Sequence, residues 1–289
     1  MSEALSVAVM VSALKAESQT TNLPAPAPLP LTAKAVLLFD IDGVIRDVAG
    51  SYRRAIVETV HHYCGWRPEA AVIDALKAEG CWNNDWDASL ELLRRHGLRP
   101  LPERDQLVAV FSGHYFGGDP EGDPGTWTGF IGQEPLLVER AFFERLEAAG
   151  LRWGFVSGAE PPSARFVLER RLGLNDPPLI AMGDAPDKPD PTGLIRLAEQ
   201  ISGRPAGAGG VPVIYLGDTV ADVITVIRAR QQQPQQPFLS LAVAPPHLHN
   251  APSRAAYEAG LRQAGADQIL ARSADLTPSL VEQWLAHLG

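Results

Sequence analysis

Four short polar segments, far apart in the chain, carry side chains suited to a phosphate group and a hard cation. They are Asp40-Ile41-Asp42-Gly43-Val44, Ser157-Gly158, Lys188-Pro189 and Gly217-Asp218-Thr219, the last followed a turn later by Asp222. Each aspartate offers hard oxygen atoms, Ser157 a hydroxyl, Gly158 an unhindered backbone N–H and Lys188 a compact positive charge. If the segments meet, Asp40, Asp42, Asp218 and Asp222 crowd four carboxylates against the one amine of Lys188. Without a further cation they would repel one another and any phosphate, and their pKa values would rise. Oxygen ligands beside a phosphate point to Mg2+, which takes few protein ligands and keeps several waters. These segments hold no histidine or cysteine, so they do not suit zinc.

The surrounding pattern says how such segments would meet. Ala35 to Phe39, Leu151 to Val156, Leu179 to Met182, Val211 to Leu216 and Phe238 to Val243 are short apolar runs, each closed by Gly, Pro, Ser or Asp. They read as buried strands. Between them run helical patterns at Glu139 to Ala149, Ser163 to Leu172, Thr192 to Ile201 and Ala221 to Arg230. Strands alternating with helices predict a parallel sheet covered on both faces, an α/β fold. Open sheets of this kind bind ligands beyond the carboxyl ends of their strands, where the polar segments lie.

The spacing is uneven. Roughly a hundred residues separate the first two strands, where a βαβ unit needs about 30. The interval carries helical patterns at Tyr52 to Tyr63, Glu69 to Glu79, Asp85 to His96 and Glu103 to Phe116, then a Gly-rich return over residues 117–132. It reads as an inserted helical domain. The boundaries expected are a Pro-rich leader at 1–33, a core at 34–50 and 133–289, and a helical cap at 51–132. The leader lacks the charge order of a secretory signal and the length of a membrane span. The chain has 289 residues, a net charge of −9 and a pI near 5.3, which gives no electrostatic footprint for nucleic acid. Two cysteines, Cys64 and Cys81, make no disulfide framework, which fits a cytoplasmic location.

Taken in order, the four segments resemble the four motifs of the haloacid dehalogenase superfamily, in its branch with a helical cap after the first motif. The resemblance covers about Ala35 to Val243. It implies a Rossmann-like three-layer α/β/α core and a Mg2+-dependent phosphatase acting on a small phosphorylated metabolite such as a sugar phosphate. By that resemblance Asp40 is the nucleophile that becomes an aspartyl phosphate. Asp42 is the acid and base, with its side chain turned from the metal and its backbone carbonyl available to it. Gly43, Ser157, Gly158 and Lys188 meet the phosphate, Asp218 completes the metal shell, and Asp222 is a further ligand or an acceptor behind it. Family members that cleave carbon–halogen bonds lack the aspartate at position 42, so its presence favours phosphate chemistry.

Two other functions compete. A phosphomutase of the β-phosphoglucomutase type would use the same intermediate, but its hinge histidine is replaced here by Tyr52. A non-catalytic binding protein could keep the fold, yet it need not keep every reactive group. Three features outside the motifs have plain readings. Trp82 to Asp87 reads as a helix start capped by Asn84 or Asp85, or as a substrate-reading surface. Arg46 and Arg53 flank the hinge and read as surface residues or as attractors of an anionic substrate. His247 and His249 read as a solvent-exposed loop rather than a metal pair.

Overall fold

The computed structural model describes residues 33–79, 82, 84–207 and 209–288. The Pro-rich leader, Cys81 and Asn83 lie outside the described residues. The first strand, β1 (Ala35–Phe39), is buried along its whole length. Ala35, Leu37 and Phe39 enter one hydrophobic core while Val36 and Leu38 enter a second on the opposite face. A strand covered on both sides has no place for polar alternation, which explains the unbroken apolar run. Phe39 packs edge-on against Phe142 and Phe143, with ring centroids 5.8 Å apart in each case.

The other strands are β2 (Leu151–Val156), β3 (Leu179–Ile180), β4 (Val213–Gly217), β5 (Phe238–Val243) and β6 (Gln268–Leu270). All pair in parallel in the order β3-β2-β1-β4-β5-β6. Chain order therefore reverses beside β1, whose neighbours β2 and β4 are reached by different crossovers. Phe39 pairs with Phe155 on one side and Leu216 on the other, so the three strands end level. Residues just past those ends must share one edge, the switch point where such sheets bind ligands.

Ten α-helices fall among the described residues. Helices α1 (Tyr52–Cys64), α2 (Ala70–Ala78), α3 (Asp85–Arg95) and α4 (Arg104–Tyr115) come between β1 and β2. They pack around a hydrophobic core of their own that includes Ile56, Val60, Leu92, Leu107, Phe111 and Tyr115. The chain runs out to these helices and back along adjacent segments, joined where Leu137 N donates to Ile45 O at 2.8 Å and Asp47 N to Pro135 O at 2.9 Å. Helices α5 (Arg140–Ala148) and α6 (Pro161–Arg165) line one face of the sheet, and α7 (Thr192–Ser202) and α8 (Val220–Gln232) line the other. That makes three layers. The helix α9 (Arg254–Ala264) packs on α8, and α10 (Pro278–Leu288) closes the chain against the first face.

Some expected boundaries move. The third strand stops at Ile180 rather than Met182, because the Asp184 carboxylate accepts from Ala181 N at 2.9 Å and turns the chain. The fourth starts at Val213 and takes in Gly217. The helix expected over Ser163 to Leu172 begins at Pro161 and widens into a π-helix over Phe166–Arg171. The sixth strand and its two flanking helices were not anticipated. Among the described residues, no helix is long and apolar enough to cross a membrane.

Candidate active site

Asp40 follows the last residue of β1, and its backbone N–H donates to Leu216 O at 2.9 Å, fixing it to the end of β4. Ser157 is held in the same way by a 2.9 Å bond from its N–H to Ile180 O. Asp218 lies one residue beyond β4, and Asp222 sits in the first turn of α8. Thr219 caps that helix. Its hydroxyl accepts from Asp222 N, while the Asp222 carboxylate accepts from Thr219 N at 2.9 Å, a reciprocal box that satisfies two helix-end donors. The separation of these residues in sequence is thus undone by level strand ends and one capped helix.

Asp40, Asp218 and Asp222 each offer a carboxylate oxygen within 4.8 Å of the others, and all three are buried. Lys188 reaches into the group, with Nζ 2.6 Å from Asp222 Oδ1 and 3.0 Å from Asp40 Oδ1. The two contacts differ in kind. Asp222 is fully engaged: Oδ1 accepts from Lys188 and from the Tyr215 hydroxyl at 2.9 Å, and Oδ2 accepts from the Thr219 N–H and hydroxyl. The Asp40 Oδ1 contact is an ion pair, and this buried oxygen has no further donor beside it. Asp222 is therefore built as an anchor for Lys188, while Asp40 and Asp218 keep oxygens for another partner.

The electrostatics agree. Burial pushes Asp40 up to about 6, aided by Asp222 and Asp42 and opposed by Lys188. Asp218 is raised well above the carboxylate range by burial, then by Asp222 and Asp40. Asp222 is lowered instead: burial opposes its charge, but Lys188 and the Thr219 bonds outweigh it. Two carboxylates that resist ionisation side by side suit a divalent cation with oxygen ligands.

Two glycines make the close approach possible. A Cβ on Gly43, whose φ is +75°, would lie 2.0 Å from Asp218 Oδ2. A Cβ on Gly217 would lie 2.3 Å from the Cβ of Asp222. Any side chain at either position would displace a carboxylate.

A cleft of about 460 Å³ opens at this edge, lined by Asp40, Asp42, Ser157, Gly158, Lys188 and Asn84 among others. The catalytic and phosphate-meeting candidates thus share one wall, except Gly43, which faces an adjoining cleft with Asp218. Asn84 takes the helix-capping role, its side chain accepting from Trp86 N and Asp87 N, and it also borders the cleft. The Asp42 side chain stands outside the three-carboxylate group, with Oδ1 2.6 Å from Arg46 Nε.

Arg46 is not where a surface reading puts it. It is fully buried, with Nη1 2.9 Å from Glu134 Oε2 and Nη2 2.9 Å from Ser163 Oγ. Glu134, 88 residues away, gave the sequence no signal. Two further supports were missed. The Tyr215 hydroxyl braces Asp222, and the Tyr257 hydroxyl on α9 donates to the Asp218 carbonyl at 2.8 Å. A tyrosine inside a strand or a helix reads as core, and only the fold turns its hydroxyl toward the site. His247 is exposed, and His249 bonds to the Ala244 carbonyl at 3.0 Å, so neither joins the three-carboxylate group.

The family description of haloacid dehalogenase-like hydrolases matches residues 34–230, more than half of the chain. The chain belongs to this family. Its fold is shared with phosphatase Tt82 from Thermococcus thioreducens at 21% identity and a TM-score of 0.55, over 70% of this chain and 91% of that one. It is also shared with a HAD family hydrolase from Deinococcus radiodurans solved with bound phosphate and sodium, at 18% identity and a TM-score of 0.59, over 88% and 98% of the two chains. A putative β-phosphoglucomutase from Thermotoga maritima is similar at 16% identity and a TM-score of 0.56, over 88% and 100%. A curated relative, an imidazoleglycerol-phosphate dehydratase from Phytophthora nicotianae, is 29% identical over 192 residues, which is 65% of this chain. The match spans 40% of that protein's length. The HAD-like α/β fold expected from the motifs is the fold observed.

Proposed function

We propose that this protein is a Mg2+-dependent phosphatase that cleaves a small phosphomonoester through a phosphorylated Asp40. The observation that carries the reading is the setting of Asp40: buried at the strand end, its Oδ1 paired with Lys188 at 3.0 Å, and bordering the cleft. A carboxylate in that position serves as a nucleophile only if its charge is offset and one oxygen is open to phosphorus. The Lys188 pair supports the first condition, and the place of Asp40 on the cleft wall supports the second.

Asp40 and Asp218, with the Asp42 backbone carbonyl, are the groups that would hold Mg2+, and Asp222 stands behind them. The ion, when bound, offsets charge on the phosphoryl oxygens. In the first step an Asp40 oxygen forms a bond to phosphorus as the bond to the leaving oxygen breaks, and Asp42 gives that oxygen a proton. Ser157, the Gly158 N–H and Lys188 steady the phosphoryl oxygens, an electrostatic contribution that is usually the largest in such transfers. In the second step Asp42 takes a proton from water as the water oxygen attacks phosphorus. Asp40 and inorganic phosphate are released.

Helices α1–α4 act as a cap that covers the substrate and excludes water during transfer. A cleft of about 460 Å³ suits a small metabolite such as a sugar phosphate. The mutase reading loses ground because Tyr52 does not stand as an open acid or base. Its ring stacks on Tyr115 with centroids 4.3 Å apart, and burial raises its phenol. Phosphate release from a panel of esters, with and without Mg2+, tests the proposal. The panel includes histidinol phosphate, since the curated relative's name carries an imidazole phosphate ester. Release that needs Mg2+ and vanishes in Asp40→Asn is expected. Release that survives in Asp40→Asn would defeat it.

A further inference from the structure

Among the described residues the largest fully buried side chain is Arg46, a charged residue only six positions after the candidate nucleophile. A buried guanidinium needs acceptors for its donors, and each of its nitrogens has one. Nη1 bonds Glu134 at 2.9 Å, Nη2 bonds Ser163 at 2.9 Å, and Nε bonds Asp42 at 2.6 Å. Glu134 is itself held by the hydroxyls of Ser51 and Tyr115, and Tyr115 also meets Ser163 at 2.9 Å. The Arg46 backbone is fixed as well, its carbonyl accepting from Gly43 N at 2.9 Å and its N–H donating to Ile41 O at 3.1 Å. Charge neutralisation alone does not explain this arrangement, because Glu134 already supplies a fully buried counter-ion.

The Asp42 contact has a different consequence. The Asp42 side chain is 29% exposed at the cleft, beside two carboxylates and the ion they would hold. Untethered, it would sample several rotamers, including ones that add an oxygen to the metal site. A charge-assisted bond to a guanidinium fixed on two other sides removes that freedom.

We infer that Arg46 is a positioning residue, which grips one oxygen of Asp42 and so presents the other to the leaving group of the substrate. The inference rests on the phosphatase reading, with Asp42 as proton donor in the first step. Arg46 touches neither substrate nor ion. It acts through Asp42, and its own orientation is set by Glu134 on the segment returning from the helices and by Ser163 in α6. The grip also keeps the Asp42 carboxylate out of the Asp40–Asp218 pair.

The test separates positioning from mere support of the fold. kcat/KM for phenyl phosphate and for p-nitrophenyl phosphate reports formation of the phosphorylated aspartate. The two esters have similar shape, but phenol is the poorer leaving group and depends more on a proton. Arg46→Lys keeps the charge and loses the three-way fork. Arg46→Met with Glu134→Gln removes the buried pair together, so no lone carboxylate remains if Arg46→Met alone fails to fold. General acid catalysis contributes about 10²–10⁴-fold. Each variant is therefore expected to lose at least about tenfold more kcat/KM on phenyl phosphate than on p-nitrophenyl phosphate. In an Asp42→Asn background, Arg46→Lys is expected to add no further difference between the esters, as coupled residues do in a double-mutant cycle. Equal losses on both esters, or a difference that persists without Asp42, would overturn the inference. A wild-type protein that released phosphate from neither ester would instead overturn the phosphatase reading beneath it.

Discussion

Replacing Gly43 by alanine adds one methyl group, and the structure says where it goes. The new carbon would stand 2.0 Å from Asp218 Oδ2 and 2.6 Å from its Cγ. Ordinary contact between such atoms is about 3.5 Å, so the carboxylate must retreat by more than ~1 Å. It cannot carry its backbone along easily, because the Asp218 carbonyl is tied to the Tyr257 hydroxyl. The side chain must rotate away from Asp40. Misplacing a group in the reacting constellation by about 1 Å costs on the order of 10²-fold in rate. A left-handed alanine at φ +75° adds backbone strain, about 1–2 kcal/mol. Gly43→Ala should therefore fold, lose about 1–2 kcal/mol in urea unfolding, and fall roughly 10²-fold in kcat/KM for p-nitrophenyl phosphate. The Mg2+ concentration for half-maximal rate should rise at the same time. Gly50→Ala is the control, since nothing lies within 4 Å of its added carbon. A Gly43→Ala protein with the Mg2+ requirement and rate of the wild type would show that Asp218 has no part in the site.

Further outcomes follow from the same contacts. Lys188→Met strips the counter-charge from Asp40 and Asp222; breaking a buried pair costs about 3–5 kcal/mol, and unchanged urea unfolding would contradict the pairing. In the metal-free protein Asp40 titrates near 6, above its unfolded value near 3.9. The folded state then holds more protons than the unfolded chain across that window, so its stability is present below about pH 4 and falls as pH rises through about 6. Mg2+ takes the place of those protons, so the rise in Tm on adding Mg2+ should be larger at pH 7 than at pH 5; an equal rise would refute the ligand assignment. Asn84→Ala removes the cap of α3 and should lower stability by about 1 kcal/mol, measurable by thermal unfolding.

The parts legible in the sequence were those written locally. An apolar run closed by a polar turn marks a strand end whatever its neighbours do, and the Asp40, Ser157 and Asp218 segments are legible that way, while Lys188 lies in the loop after the third strand. The four helices between β1 and β2 announced themselves by periodicity and by a capping residue such as Asn84. The sixth strand did not, because its three residues are too few to show a period. The fate of Arg46 was equally hidden. Its partners Glu134 and Ser163 lie 88 and 117 residues away, and only the pairing of outgoing and returning segments brings them to it. The division of labour between Asp218 and Asp222 was left open by spacing alone. In the structure Tyr215 and the Thr219 cap engage the Asp222 carboxylate.

Phosphoryl occupancy of Asp40 tests the central claim most directly. The protein is mixed with Mg2+ and p-nitrophenyl phosphate, quenched in acid within one turnover, digested, and its peptides weighed. The peptide containing Asp40 should carry one phosphoryl group, labile to hydroxylamine as an acyl phosphate is, and Asp40→Asn should carry none. Turnover with that peptide unmodified at every time point, or with the label on another residue, would contradict the account.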